Sequence, residues 1–206
     1  MKVLVTCSKK GGVGKSLTVR SLAVAGLLDN RPVMVIDADP QGTVTAWAQR
    51  RGHQLPYVRP LGAIRLPTVI KDFEKSGGGA VIIDTPPSTQ PILNVAIECA
   101  TGCLIVTEPL PESIEQVGAT ATIVEKMGKP GAILLNRAQP RSAALSMARS
   151  VLTAFPFPVC PIPLTQLVDH PYAAAEGLTA SERSPNGKAA TEISHVYRWL
   201  VEKELL

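Results

Sequence analysis

The stretch KGGVGKS at residues 10–16 directly follows a short apolar run at 3–6 and opens a segment of helical period at 16–28. Glycines let successive backbone N–H groups turn toward an anion, and the positive end of a helix adds to the attraction. A lysine at the end of such a loop reaches the β- and γ-phosphates of a nucleotide, and the following hydroxyl ligates Mg²⁺. The order of strand, glycine loop, Lys15, Ser16 and helix therefore predicts a phosphate-binding loop rather than a plain connecting turn.

Further short apolar runs lie at residues 32–36, 80–83, 103–107 and 131–135, with a weaker one at 157–162. Their continuous apolar character is typical of strands that are buried on both faces. Segments of helical period separate or follow them, and they lie at 16–28, 92–100, 114–127 and 143–154. Alternation of this kind predicts an α/β fold with a mostly parallel, twisted sheet and helices on both faces. With 206 residues, we expect one domain over 1–206.

The second and third apolar runs are followed by carboxylates: Asp37 and Asp39 after the second, Asp84 after the third. The carboxyl ends of parallel strands meet at one edge of a sheet, which is also where the phosphate loop lies. We therefore expect these carboxylates to act on a metal-bound water or on the attacking water. Asp84 has the position of the aspartate that supports Mg²⁺ in phosphate-loop enzymes, and the TPPS stretch at 85–88 is placed to sense the γ-phosphate.

The composition excludes several classes of protein. With 45% hydrophobic and 18% charged residues, most of the chain is not intrinsically disordered. The four cysteines have neither the paired spacing of a zinc or redox site nor the density of a disulfide scaffold. We see no signal peptide and no apolar run that is long enough for a membrane span, so we expect a cytoplasmic protein. The net charge of +4 permits an anionic partner without requiring one.

Three motifs together resemble those of the deviant-Walker-A ATPases, and most closely the small ParA-type, ParF-like partition ATPases of the MinD/ParA superfamily. They are KGGVGKS at 10–16, DADPQG at 37–42 and DTPP at 84–87. The first is similar to the family's signature-lysine loop, because Lys10 immediately precedes the glycines and Lys9 stands where ordinary phosphate loops have glycine. LNR at residues 135–137 resembles the family's adenine-side loop, and the segments 173–177 and 188–193 resemble its C-terminal segments, so the resemblance covers essentially the whole chain.

The resemblance implies a role for each matching position. Lys15 and the loop amides bind phosphates, Asp39 positions the attacking water, and Lys10 reaches across a sandwich dimer to the partner's nucleotide. The positions implied to bind ATP are Gly11, Gly12, Val13, Gly14, Lys15, Ser16, Leu17 and Asn136, and those implied to hold Mg²⁺ are Ser16, Asp37 and Asp84. Leu17 stands where the family usually has a second hydroxyl residue, which leaves the α-phosphate contact open. The chain begins at the first strand, so we expect no N-terminal helix-turn-helix extension.

The implied function is that of a DNA partition ATPase. Its ATP-bound dimer binds DNA non-specifically, and a small centromere-binding adaptor protein stimulates hydrolysis and releases it, which places the protein on the nucleoid. Two alternatives use the same ATPase core: a membrane-associated, MinD-like spatial regulator, and an ATPase that positions a cargo other than DNA. The basic residues that are candidates for DNA contact lie near the C-terminus and are Arg183, Lys188, Arg198 and Lys203.

Three other features have simpler interpretations. Two cysteines at the spacing of Cys99 and Cys103 are more often small core residues than ligands of an iron–sulfur cluster, so we expect both to lie in the core. The histidines His53, His170 and His195 have no ligand spacing and are predicted to lie at the surface or in turns. Apolar residues at helical period near the C-terminus predict a helix that packs on the sheet, because the glutamates at 192, 202 and 204 disfavour an anionic bilayer.

Overall fold

The computed structural model describes residues 1–52, 55–87 and 91–206, and in them it forms one six-stranded sheet with helices on both faces. The strands are β1 (Lys2–Cys7), β2 (Val33–Asp37), β3 (Tyr57–Pro60), β4 (Ala80–Asp84), β5 (Gly102–Thr107) and β6 (Gly131–Leu135). The helices are α1 (Lys15–Leu28), α2 (Thr43–Arg51), α3 (Leu66–Lys75), α4 (Pro91–Cys99), α5 (Pro111–Lys126), α6 (Ala143–Leu152), α7 (Asp169–Ala175), α8 (Ala180–Arg183) and α9 (Lys188–Glu202).

The strands pair in the order β3-β2-β4-β1-β5-β6, and every pairing between them is parallel. This confirms the predicted α/β architecture. In the register of the central strands, Asp84 stands beside Thr6 on one side and beside Asp37 on the other. Because neighbours in register point to the same face of a parallel sheet, the two carboxylates emerge side by side at the carboxyl edge.

Each face of the sheet carries its own apolar core. One cluster joins alternate residues of the strands, such as Val5 and Ile83, to α3, α4, α5 and α6. The other joins the remaining strand residues, such as Leu4 and Ile82, to α1, α2 and α9. Burial on both faces explains why the strands are apolar runs without alternation. The carboxyl edge is left to polar residues, and it is where the site lies.

The prediction of a strand at 157–162 is wrong. This segment makes only an isolated bridge, between Ile133 and Val159. Cys160 N donates to Ile133 O at 2.8 Å, but further ladder bonds are blocked by prolines, which lack an N–H. These prolines stand at positions 156, 158, 161 and 163. Five further elements were not predicted from the sequence: β3, α2, α3, α7 and α8. Each of them buries two residues or fewer.

The C-terminal helix packs on the sheet as predicted. In α9, the buried residues include Ile193, Val196 and Leu200, and they join the core on the α1 side. Tyr197 Oη bonds Asp29 Oδ2 at 3.1 Å, which fixes α9 against the end of α1. In the part of the chain that the structure describes, no helix is both long enough and apolar enough to cross a membrane.

Candidate nucleotide-binding site

The loop between β1 and α1 has the backbone that an anion-binding loop requires. Gly12 and Gly14 have φ angles of 80° and 92°, in the left-handed region that favours glycine. Thr18 N and Thr18 Oγ1 each donate to Gly14 O at 3.0 Å, so the first turn of α1 is closed directly behind the loop. Gly11 and Gly12 are exposed while Val13 is buried, which anchors the loop in the core and leaves its rim open to a ligand.

Asn136, which follows β6, holds the loop from behind. Its Nδ2 donates to Val13 O at 2.8 Å, its own N–H bonds Thr107 O at 2.7 Å, and the side chain is buried. A Cβ atom on residue 14 would overlap this amide, so Gly14 is needed for close approach as well as for its φ angle. Asn136 therefore positions the phosphate loop, and its predicted contact with adenine stays a prediction.

The two lysines of the loop have different surroundings. Lys15 is buried, and burial lowers its pKa while the carboxylates of Asp84 and Asp39 act in the opposite direction. Lys10 is half-buried, and its Nζ donates to Ser113 Oγ, in the first turn of α5, at 2.9 Å. The role of Lys15 on a bound phosphate agrees with this placement. For Lys10 to reach a partner's nucleotide, it must first leave Ser113.

Asp37 is buried and fully hydrogen-bonded by the protein. Its Oδ2 accepts from Thr45 N at 2.8 Å and from Thr45 Oγ1 at 2.7 Å, and its Oδ1 accepts from Asp39 N at 3.3 Å. Helix α2 starts after Gly42, which has no side chain to cap it, so Asp37 supplies the missing acceptor to the first turn. Its predicted part in holding Mg²⁺ stays a prediction, and the observed role is to position α2.

Asp84 is completely buried, and neither of its oxygens has a hydrogen-bond partner of ordinary geometry among the described residues. Burial raises its pKa to about 7, the nearby Ser16 hydroxyl and Lys15 lower it, and the charges of Asp37 and Asp39 raise it. A buried carboxylate without partners is costly unless a cation offsets it.

The residues around Asp84 fit Mg²⁺. No three side chains of His, Cys, Asp or Glu come together as a metal cage in residues 1–52, 55–87 and 91–206. Mg²⁺ does not need such a cage, because it takes one or two carboxylates together with phosphate oxygens and water. Asp84 and the Ser16 hydroxyl are the groups that would hold it, and the ion would neutralise charge on the phosphates.

The remaining predicted residues of the edge are only partly engaged. Asp39 is half-buried, and its Oδ1 accepts from Gln41 N at 2.9 Å, so one oxygen stays available to a water. The Thr85 hydroxyl donates to Thr6 O at 2.7 Å and is used inside the fold. Leu17 packs on the core of the α1 side, which leaves only its backbone for an α-phosphate. Ser88 lies outside the described residues.

The four candidate DNA contacts have different surroundings, and their part in binding DNA stays a prediction. Arg183 pairs with Glu176 at 3.0 Å, and Lys188 lies 3.8 Å from Glu192. Lys188 begins α9 and Lys203 follows its last residue, so they lie about 22 Å apart at 1.5 Å per residue. Among the described residues, Arg198 and Lys203 form no ion pair and stay exposed.

The two cysteines near β5 lie in the core as predicted, whereas one of the histidines does not lie where it was expected. Cys103 is buried in the core of the α5 side, and Cys99 is half-buried against it. His195 is exposed, and His53 lies outside the described residues. The prediction is wrong for His170, which is buried, and its Nε2 has no hydrogen-bond partner among the described residues.

Two residues of the site were not predicted from the sequence: Thr45, which donates to Asp37, and Ser113, which accepts from Lys10. Glu108 was not predicted either; it is a buried carboxylate directly after β5, and it pairs with Arg137 at 2.9 Å. For Thr45 and Ser113, the only signal in the sequence was their position, since both are hydroxyl residues in the first turn of a helix that begins at the carboxyl edge. Such residues are common there as caps, so the sequence alone does not single them out.

The model of the CobQ/CobB/MinD/ParA nucleotide binding domain matches residues 4–178. The "Maintenance of carboxysome distribution protein A" of Gloeobacter kilaueensis is 30% identical over 206 residues, which cover 98% of this chain and 93% of that protein. The "Chromosome-partitioning ATPase Soj" of Thermus thermophilus is 26% identical over 59% of this chain and 61% of its own.

Among solved structures, the septum site-determining protein MinD of Pyrococcus horikoshii, complexed with Mg-ADP, superposes with a TM-score of 0.80. It is 20% identical, over 98% of this chain and 97% of that one, and it shows the fold. Together with the phosphate loop, these matches lead to one conclusion: the chain belongs to the CobQ/CobB/MinD/ParA nucleotide-binding family and is an ATPase of the ParA/MinD type.

Proposed function

We propose that the chain is an ATP-dependent partition ATPase whose ATP-bound dimer binds DNA non-specifically on the nucleoid. A small adaptor protein stimulates hydrolysis, and the dimer then leaves the DNA. The observation that carries this proposal is the pair of lysines in one phosphate loop: Lys15 is buried at the start of α1, whereas Lys10 is bonded to Ser113 of α5. A single nucleotide needs only the first of these cations, so the second is available to a nucleotide on another copy.

The open rim of the loop supports dimer formation. Gly11 and Gly12 are exposed, so a second copy can approach the loop directly. Two such loops face each other with like charges, and bound ATP between them offsets that repulsion. We therefore expect the dimer to form with ATP and not with ADP.

A cargo other than DNA is the second candidate, and the relatives favour it. The relative from Gloeobacter kilaueensis, which matches nearly the whole chain, is named for the distribution of carboxysomes. In that case the DNA-bound ATPase positions a protein compartment through an adaptor. A membrane-bound regulator has less support, because the apolar face of α9 is buried in the core and is not available to a bilayer.

The phosphate-loop roles are tested with three variants. Lys15→Ala abolishes ATP binding in isothermal titration, because a fixed cation and the loop amides hold the triphosphate together. Asp39→Ala keeps ATP affinity but slows hydrolysis, since orienting a water matters only along the reaction path.

Lys10→Ala weakens the dimer in sedimentation more than it weakens ATP binding. Equal monomer fractions with ADP and with a non-hydrolysable ATP analogue would overturn the dimer proposal.

DNA binding is tested by fluorescence anisotropy on two unrelated duplexes across a salt series, with ADP and with an ATP analogue. The ATP form binds both duplexes, and log K falls against log salt with a slope of about −0.9 per phosphate contact. Arg198 and Lys203 form no ion pair within the described part of the chain, whereas glutamates offset the charges of Arg183 and Lys188. Replacing either of the first two therefore lowers the slope more than replacing either of the last two. ATP-dependent binding to anionic liposomes, with none to DNA, rejects the proposal in favour of a membrane-bound regulator.

A further inference from the structure

The contact between Lys10 and Ser113 joins the phosphate loop to another helix. Lys10 Nζ donates to Ser113 Oγ at 2.9 Å, although 103 positions separate the two residues in the chain. Ser113 lies in the first turn of α5 and is 2% exposed, whereas Lys10 is half-buried at the start of the glycine loop. The side chain of Lys10 is therefore fixed on α5, and not on a residue of its own loop.

Each of these two polar groups has the other as its only hydrogen-bond partner in residues 1–52, 55–87 and 91–206. Lys10 Nζ also forms no ion pair there, since the salt bridges in this part of the chain belong to other residues. Glu112, the carboxylate next to Ser113, is exposed and is not among them. Once Lys10 leaves, the buried Ser113 hydroxyl loses the one partner that the structure gives it, which costs free energy.

Apart from this bond, the position of Lys10 is electrostatically unfavourable. Helix α5 starts after Leu110, whose side chain makes no capping hydrogen bond. The free N–H groups of the first turn of a helix carry partial positive charge, and they repel a cation that lies beside them. A single hydrogen bond therefore holds the ammonium group of Lys10 at the positive end of α5, and an anion that comes within its reach competes with Ser113 for it.

We propose that Ser113 is a positioning residue, which holds Lys10 in the single copy and so opposes dimer formation. This rests on the proposed function, because Lys10 reaches the nucleotide of a second copy only in the dimer proposed there. Lys10 exchanges the Ser113 hydroxyl for the phosphates of that nucleotide, and a charge-assisted bond to phosphate is stronger than a bond to a neutral hydroxyl. ATP carries more negative charge than ADP, so the exchange favours the ATP form.

The backbone of the phosphate loop is held by a different residue. Asn136 Nδ2 donates to Val13 O at 2.8 Å, and this bond does not involve α5. Loss of the Ser113 hydroxyl therefore frees the side chain of Lys10 and leaves the loop in place. We expect such a change to act on the dimer, and not on the affinity of a single copy for ATP.

The first experiment measures the contact in the free chain, without nucleotide, by acetylation of lysines and mass spectrometry. The rate at Lys10 is divided by the rate at the exposed Lys71. Ser113→Ala raises this ratio by about threefold to tenfold, which corresponds to one hydrogen bond. The matched control, Thr120→Ala, removes another buried hydroxyl of α5, which bonds Gln116 O of the same helix at 3.2 Å, and it leaves the ratio unchanged. An unchanged ratio in Ser113→Ala overturns the proposal.

The second experiment measures the dissociation constant of the dimer by sedimentation, with Mg²⁺ and a non-hydrolysable ATP analogue. Ser113→Ala lowers this constant by about threefold to tenfold, because the single copy no longer has the bond that must break. Ser113→Thr keeps the hydroxyl and the wild-type constant. In the Lys10→Ala background, Ser113→Ala has no effect, since the hydroxyl acts through Lys10. A weaker dimer in Ser113→Ala, or an equal change with and without Lys10, overturns the proposal.

The two measurements also distinguish a failure of the proposed function from a failure of the role of Ser113. If the wild-type chain forms no dimer with the ATP analogue, the proposed function is overturned, whatever the acetylation of Lys10 shows. If the wild-type chain forms the dimer and Ser113→Ala leaves its dissociation constant unchanged, the proposed function stands and the role of Ser113 is overturned.

Discussion

The ends of β2 and β4 carry two aspartates that look equivalent in the sequence and differ in the fold. Asp37 and Asp84 are neighbours in register, both are buried, and both follow apolar strands. Asp37 gives its oxygens to Thr45 and to the backbone of Asp39, so the protein itself satisfies it. Asp84 receives no such bond within the described chain, so its oxygens are free to bind a cation. Position on the sheet edge is therefore not sufficient to assign a ligand, since the partners of each carboxylate decide what it does.

Asp84→Asn is expected to give the largest effect. Mg²⁺-dependent ATP turnover falls by about 100-fold or more, because the variant removes the anionic ligand that the fold leaves free. The unliganded variant is more stable than wild type by about 1 kcal/mol or more, because a buried carboxylate with a raised pKa is replaced by a neutral group. Turnover assays across Mg²⁺ concentrations and chemical denaturation check the two parts. If the variant turns over ATP as fast as wild type does, Asp84 is not a ligand of the metal.

Asp37→Asn is expected to act mainly on stability. Thr45 N–H and O–H lose a charged acceptor at the start of α2, which costs about 1–3 kcal/mol of unfolding free energy. Turnover falls less than in Asp84→Asn once the folded fraction is taken into account. Denaturant unfolding beside turnover gives both numbers. If Asp37→Asn is as stable as wild type and as inactive as Asp84→Asn, the contrast between the two aspartates is wrong.

The pH dependence of stability separates the two positions further. The folded pKa of Asp84, about 7, lies above its unfolded value of 3.8, so the folded state binds more protons between these values and stability falls as pH rises through 7. His170 has a lowered pKa and acts in the opposite sense, because its contribution is lost as pH falls below 6.5. Between pH 6 and 8, unliganded wild type loses about 1 kcal/mol relative to Asp84→Asn. In Asp37→Asn the same fall lies at lower pH, because the charge of Asp37 raises the pKa of Asp84. Parallel curves for wild type and Asp84→Asn exclude a raised pKa at Asp84.

Thr45→Val is expected to give the smallest effect. It removes one hydroxyl donor from Asp37 while the backbone N–H of residue 45 still bonds the carboxylate, so stability falls by about 1 kcal/mol. ATP affinity and the pH trend of Asp84 do not change. Thermal unfolding and nucleotide titration of the variant check this, and a loss of ATP affinity would place Thr45 in the nucleotide site itself.

Much of this architecture could be predicted from the sequence because it rests on local patterns. Apolar runs without alternation identified five of the six strands, and the glycine loop before α1 located the phosphate edge. The elements that were not predicted, β3, α2, α3, α7 and α8, each bury two residues or fewer and lie outside the long apolar runs. The strand predicted at 157–162 was wrong because prolines interrupt its apolar residues, and a proline cannot donate to a ladder of hydrogen bonds.

The site was harder to predict than the fold because its chemistry depends on partners that are distant in sequence. Asp37 and Thr45 are joined across a turn, and Lys10 meets Ser113 from another helix. His170 is buried in α7, which packs against α2 and α8, and no spacing of histidines reveals that packing. A residue type at a strand end indicates that chemistry occurs there, and the contacts of that residue determine which chemistry it is.

The proline segment beside β6 has a consequence for how many copies of this chain can gather in one place. An open sheet edge invites strands of other molecules to pair with it. Along β6, the segment 155–164 covers that edge with a few backbone hydrogen bonds. Its prolines have no N–H to donate, so the segment cannot pair with a strand of another molecule as a regular ladder. The opposite edge, β3, is only four residues long and ends in Pro60. Crowding of this ATPase on a shared surface therefore brings its copies together through side chains and nucleotide, and not by growth of a continuous sheet.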